Sequence, residues 1–165
     1  MVGAENQLKL AAIGHPALRA CVPMSSGASA ELYVSADVPD ADADVFVKLV
    51  DVYPDRTAYI LAETALRLRY REGAGIPASL VPGQVYRVTV RGMTTANYFA
   101  PGHQVRVEVA GSSFPNADRN WHADGRNDLA TDGPVAHLTL HHGGDHPSRI
   151  VFREYTGLVE PKIRD

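Results

Sequence analysis

The chain is poor in several things that would each have suggested a function. Cys21 is its single cysteine among 165 residues, so an internal disulfide framework is excluded. Neither sign of charge dominates: sixteen Lys and Arg stand against nineteen Asp and Glu, for a net −3. Without a basic stripe, nucleic acid and anionic membrane surfaces are not expected partners. No apolar run approaches the length needed to cross a bilayer. The N-terminus holds Glu5 and only Lys9 as a cation, which does not read as a signal peptide, and a cytoplasmic location is expected. The chain also lacks a Gly-x-Ser-x-Gly segment, the strained turn that presents a nucleophilic serine. None of its eight serines lies on such a turn.

What is present is mostly alternation. Val105, Val107 and Val109 alternate with Arg106 and Glu108, placing valine on one face and charge on the other. Tyr86, Val88 and Val90 do the same against Arg87, Thr89 and Arg91. Leu66, Leu68 and Tyr70 do so against Arg67, Arg69 and Arg71. Phe46–Val52 is nearly continuous apolar and reads as a central strand; His137–His142 and Arg149–Tyr155 supply two more. Pro-Asp at 54–55, Pro-Gly at 82–83 and 101–102, and Gly-Gly-Asp at 143–145 mark turns between them. Short strands at this spacing predict an all-β sandwich or jelly roll from residue 30 onward. Asn116–Gly133, polar and rich in Gly, Asp and Asn, reads as a long ordered loop.

Residues 1–29 differ in kind. Asn6–Ile13 (NQLKLAAI) has helix formers with Leu8, Ala11 and Ala12 on one face, and Gly14 with His15-Pro16 provides a stop. Leu18–Pro23 follows as a short apolar strand. Helix, turn and strand together are an α/β signature.

The segments FVKLVDVYPD (Phe46–Asp55), LRLRYREG (Leu66–Gly73), LVPGQVYRVTV (Leu80–Val90), NYFAPGHQVRVEV (Asn97–Val109), SSFPNADRN (Ser112–Asn120) and HPSRIVF (His146–Phe152) occur in an order and spacing that resembles one family. They look like the C-terminal, non-catalytic domain of the X-Pro dipeptidyl-peptidase, cocaine esterase and glutaryl acylase group of serine hydrolases. The resemblance implies a galactose-binding-like jelly roll over residues 30–165. Asp55-Arg56 departs from the family's usual Asp-Gly. NQLKLAAIGHPALRACVPMSSGA resembles the same family elsewhere, at the helix and strand that follow the nucleophile in its α/β-hydrolase domain. Aligning the family's Gln with Gln7 sets the nucleophile at or before Met1, where there is no serine. By this resemblance residues 1–29 are a remnant of the catalytic domain, and the chain is a truncated hydrolase without its triad. It is expected to be inactive alone and to need no cofactor.

The expected partners are a catalytic α/β-hydrolase domain completed in trans, or a second copy through an open sheet edge. A glycan- or protein-binding module is the rival reading. Asp118, Arg119 and Asn120 form the candidate structural polar loop, with Arg119 expected to pair with a carboxylate. Trp121 and His122 form the candidate binding loop, since an aromatic beside an imidazole can stack on a sugar. His141, His142 and His146 invite a metal, but adjacent strand residues face opposite ways, so no metal site is expected. Asp37, Asp40, Asp42 and Asp44 are expected as a solvated acidic turn. Cys21 is expected as a packed small hydrophobe.

Overall fold

Three valines spaced two apart bury one face of a strand, and Val105, Val107 and Val109 are all buried, while Arg106 and Glu108 between them are only half-buried. The computed structural model describes residues 11–14, 18, 22–24, 27–38, 42–122 and 129–151. Along them run strands β1 (Ala11–Gly14), β2 (Val22–Met24), β3 (Ala28–Ala36), β4 (Asp44–Val52) and β5 (Ala58–Arg67). A 3-10 turn (Leu68–Tyr70) leads on to β6 (Tyr86–Met93), β7 (Asn97–Phe99), β8 (Gln104–Ala110), β9 (Leu138–His141) and β10 (Arg149–Val151).

Two antiparallel sheets face one another. The first has the order β1-β8-β4-β5. In the second, β3 lies between β6 on one side and, on the other, β10 and β9 in succession. A small ladder of β2 with β7 flanks them. Leu32, Val34, Val88, Val90 and Met93 from one sheet meet Val45, Val47, Leu49 and Val107 from the other, with Phe99 buried among them. Each such side chain contributes about 1.5–3 kcal/mol by leaving water. A Thr64 hydroxyl on β5 donates to the Arg91 carbonyl on β6 at 2.6 Å, tying the sheets together at one corner.

Two turns obey their sequences closely. Ala100–His103 closes with His103 N–H donating to the Ala100 carbonyl, Pro101 second and Gly102 third at φ 86°. That is a type II turn, which needs a left-handed residue in its third place. The β4–β5 hairpin turns at Tyr53–Arg56 with Pro54 second, and Arg56 N–H donates to the Tyr53 carbonyl. The residue that ends this turn is left-handed, and it is Arg56, at φ 72°. The present arginine thus meets under strain a backbone demand that glycine would meet freely.

Two expectations change. Ala11–Gly14 is a strand on the edge of β8, with Ala11 opposite Val109 and Ile13 opposite Val107. The expected helix over 6–13 is therefore not formed at 11–13, and its remaining residues lie outside those described. An open ladder on β8 outweighs the propensity of a two-turn helix. Second, Leu66–Arg71 does not stay extended: the strand ends at Arg67 and the 3-10 turn follows. Residues 29 and 30, where a boundary is expected, both lie in β3; β1 pairs with β8 and β2 with β7.

Candidate functional site

The polar interior gathers at two places. The first begins with Asp44 and Arg67, which sit opposite each other at the ends of β4 and β5. Arg67 Nε donates to Asp44 Oδ1 at 2.9 Å and Nη2 to Oδ2 at 3.1 Å, a two-pronged pair. Asn120 Nδ2 donates to the same Asp44 Oδ1 at 3.0 Å. Its own Oδ1 accepts the His122 N–H at 2.9 Å, and His122 Nδ1 donates to the Asp42 carbonyl at 2.7 Å. Held from both sides, His122 adopts a left-handed φ of 57°.

Asp42 completes the knot. It is 1% exposed, and its Oδ1 accepts the Arg69 N–H at 3.1 Å. Its Oδ2 lies 3.2 Å from Arg67 Nε, yet outside hydrogen-bonding geometry, so that oxygen is buried without a bond. Burial raises the Asp42 pKa above the ordinary carboxylate range; the Arg69 N–H works against this and the Asp44 charge adds to it. Arg67 is held more firmly protonated by its bonds to Asp44, against the opposing effect of burial.

The second cluster joins β4, β7 and the turn before β8. His103 Nδ1 donates to Asp51 Oδ1 at 2.9 Å, and Asn97 Nδ2 donates to Asp51 Oδ2 at 3.3 Å. Tyr53 lies over His103 with ring centroids 4.1 Å apart and meets Tyr59 edge-on at 5.1 Å. Arg71 makes a third anchor outside both clusters. Its guanidinium donates to the carbonyls of Leu68, Ala78 and Ser79 and lies 4.3 Å from the Tyr86 ring centroid, clamping the loop before β6.

The residues singled out from the sequence divide. Asn120 and His122 enter the knot. Asp118 and Arg119 are exposed, and the Arg119 guanidinium sits 4.5 Å from the centroid of Phe114. The carboxylate expected for Arg119 goes to Arg67 instead. Trp121 is half-buried beside His122, whose ring is committed to the Asp42 carbonyl. The expected solvated acidic turn divides: Asp42 and Asp44 are buried, Asp37 is exposed and accepts from the His137 main-chain N–H and ring, and Asp40 lies outside the described residues, as does Cys21. Sequence reasoning missed Asp42, Asp44 and Arg67 as one unit. The available signal was an arginine ending one strand while two aspartates open another.

One serine does meet an imidazole. Ser35 Oγ and His141 Nε2 share a hydrogen bond of 2.9 Å on the outer face of the second sheet. Ser35 is buried in the middle of a ladder, where it faces Thr139, and not on an exposed strand-to-helix turn. His141 meets the ring of His146 at 5.5 Å, and among the described residues no carboxylate bonds to it. His142 is exposed, and among the described residues no group of three metal-ligating side chains converges.

The fold and these clusters define a class: an antiparallel jelly-roll sandwich whose buried polar groups fasten loops to strands. Comparison with known proteins narrows it. The family model described as the X-Pro dipeptidyl-peptidase C-terminal non-catalytic domain matches residues 26–151, and the chain belongs to that family. It is similar to cocaine esterase of Rhodococcus sp. (strain MB1 Bresler), at 37% identity over 133 residues, 79% of this chain and 23% of that protein. Among solved structures it resembles an aminopeptidase from the marine sediment archaeon Thaumarchaeota archaeon, with TM-score 0.80 and 25% identity over 89% of this chain and 26% of that one. An α-amino acid ester hydrolase gives TM-score 0.79 and 26% identity, over 88% and 25%. The chain thus spans about a quarter of the length of the relatives it matches. Among the described residues, no helix is long and apolar enough to cross a membrane.

Proposed function

We propose that this chain is the accessory sandwich of a serine acyl hydrolase, acting on esters or peptides, and that it supports a catalytic α/β-hydrolase domain without performing chemistry itself. Acyl transfer through serine needs a nucleophile, a base in reach, an orienting carboxylate and donors for the oxyanion. The observation that carries the reading is the Ser35–His141 pair, which has a hydroxyl and a base but is buried on a strand and lacks an acid among the described residues. The names of the relatives, two ester hydrolases and an aminopeptidase, support the substrate class.

The bonding of the polar clusters supports a scaffold role. Asp44, Asp51 and Asn120 bond inward to neighbouring elements, which fixes loops more than it offers groups to a ligand. The test is hydrolysis of p-nitrophenyl acetate and of an X-Pro anilide by the purified chain. The expected result is no turnover above buffer; turnover abolished by a serine-directed phosphonate and by Ser35→Ala would overturn the reading.

A further inference from the structure

Separate pieces of the N-terminal stretch lie along one edge. Ala11–Gly14 pairs antiparallel with residues 109–106, and Val22–Met24 with residues 99–97. Between them, Leu18 N–H donates to the His103 carbonyl at 2.8 Å, and the Leu18 carbonyl accepts the Gly102 N–H at 2.9 Å. Two residues thus oppose one, the first of them a left-handed glycine at φ 86°, which is the pattern of a bulge that lets a ladder continue past a turn. From β7 through the turn to β8, residues 97–109 form one strand-accepting edge. β1, Leu18 and β2 cover it in antiparallel order.

The hold is through main chain, and strand addition of that kind tolerates many sequences. The accepting edge is close to neutral, since Arg106 and Glu108 pair with each other at 2.7 Å and His103 is bonded to Asp51. The covering residues AAIG, Leu18 and VPM carry no charge either. They are weak partners. The two ladders are four and three residues long, and Pro23 has no N–H to give. Ala11–Ile13 also belongs to a run of helix formers, so it has a competing conformation once off the edge. By contrast, the other side of β8 is paired with β4 along all of Gln104–Ala110, so β8 keeps its place without the cover.

We propose that residues 97–109 are a binding site for an extended, uncharged segment of a separate polypeptide, which pairs along β8 and β7 after displacing β1, Leu18 and β2. The cover is then a tethered competitor, at an effective concentration on the order of millimolar. It keeps the edge from pairing with unrelated strands until a better-matched segment arrives. This inference is independent of the acyl-hydrolase reading.

The probe is a fluorescein-labelled synthetic peptide of residues 9–25 with Cys21→Ser, and a scrambled peptide is the control. In the full chain with Cys21→Ser, Ala12→Cys and Glu108→Cys stand opposite each other in the ladder and can be joined by oxidation. By fluorescence anisotropy, the oxidised form is expected to bind the peptide at least about tenfold more weakly than the reduced form. Ala12→Pro with Ile13→Pro loosens the cover, because one of two adjacent strand residues must turn its N–H into the ladder. That variant should bind about tenfold more tightly than the unaltered chain. Equal binding by the oxidised and reduced forms overturns the proposal, as does a folded double-proline variant that binds nothing up to about 1 mM peptide. Hydrogen exchange of the unaltered, isotope-labelled chain needs no variant: excess unlabelled peptide should expose the amides of Ala11–Gly14 while those of Gln104–Ala110 stay protected. Peptide bound with Ala11–Gly14 still protected also overturns the proposal.

Discussion

Arg67 and Asp44 stand directly opposite each other across β4 and β5, and two parallel hydrogen bonds of 2.9 and 3.1 Å join their side chains. The pair closes the end of the hairpin. It also positions Asp44 Oδ1 to accept from Asn120, which fastens the long loop after β8. Removing the guanidinium strands two buried carboxylates, Asp42 and Asp44. Breaking one side of a buried pair costs about 3–5 kcal/mol; because Arg67 is partly exposed, the expected loss for Arg67→Met is about 2–3 kcal/mol. Urea unfolding measures it, and a loss below about 0.5 kcal/mol would show that the knot does not hold the hairpin. Arg67→Lys keeps the charge but loses the two-pronged geometry, and should fall between the two.

The strained turn offers a gain. Arg56 has φ 72°, a conformation costing a non-glycine residue about 1–2 kcal/mol. Glycine relieves that strain but loses more entropy on folding. Arg56→Gly is therefore expected to stabilise by about 0.5–1 kcal/mol, raising Tm by roughly 1–4 °C. Arg56→Ala serves as the control and should give no gain, because alanine retains the Cβ that makes the conformation costly. Equal effects from the two would locate the benefit in lost charge and not in the backbone.

Asp42 gives the pH dependence a definite sign. Its pKa is raised in the folded state, so the native chain binds more protons than the unfolded chain between the ordinary aspartate value and the raised one. This residue's contribution to stability therefore worsens as pH rises through that window, and its penalty is absent below about pH 4. Asparagine carries no such penalty. Asp42→Asn should thus compare more favourably with the unaltered chain at pH 7 than at pH 3.5, whatever its absolute effect. Urea midpoints at the two pH values test this, and an identical difference at both would contradict it. Asp37 has the opposite sign: the His137 main-chain N–H holds its pKa low, so what it contributes is lost as pH falls through that lowered value.

How much of this was legible depended on whether one face of a segment decided its structure. Val105, Val107 and Val109 announce β8, and Tyr86–Val90 announce β6, because alternation with charge leaves one arrangement that buries the apolar set. The alternation at Leu66–Arg71 misled for a physical reason. Leu68 is buried as a strand would have it, but the backbone has turned to let Arg69 N–H reach Asp42 and Arg71 reach three carbonyls. These long-range hydrogen bonds leave no local periodic trace. The same limit applies to Asp42 and Asp44, which read as a solvated turn because their partners, Arg67 and Asn120, lie 23 and 76 residues on from Asp44. Ala11–Gly14 follows the same logic: a partner ladder on β8, invisible from eight neighbouring residues, decides its conformation.

Where β10 ends and β9 begins along β3, the Tyr33 main-chain N–H finds the Ser148 hydroxyl at 2.9 Å, and that hydroxyl donates in turn to the His141 carbonyl at 2.5 Å. One side chain thus imitates the missing peptide unit and makes two short segments behave as a single rung-bearing edge. Only a residue that gives one proton and takes another can do so. Threonine would preserve the splice, whereas alanine would leave an unanswered amide at the seam and free the terminal segment to peel from the rest.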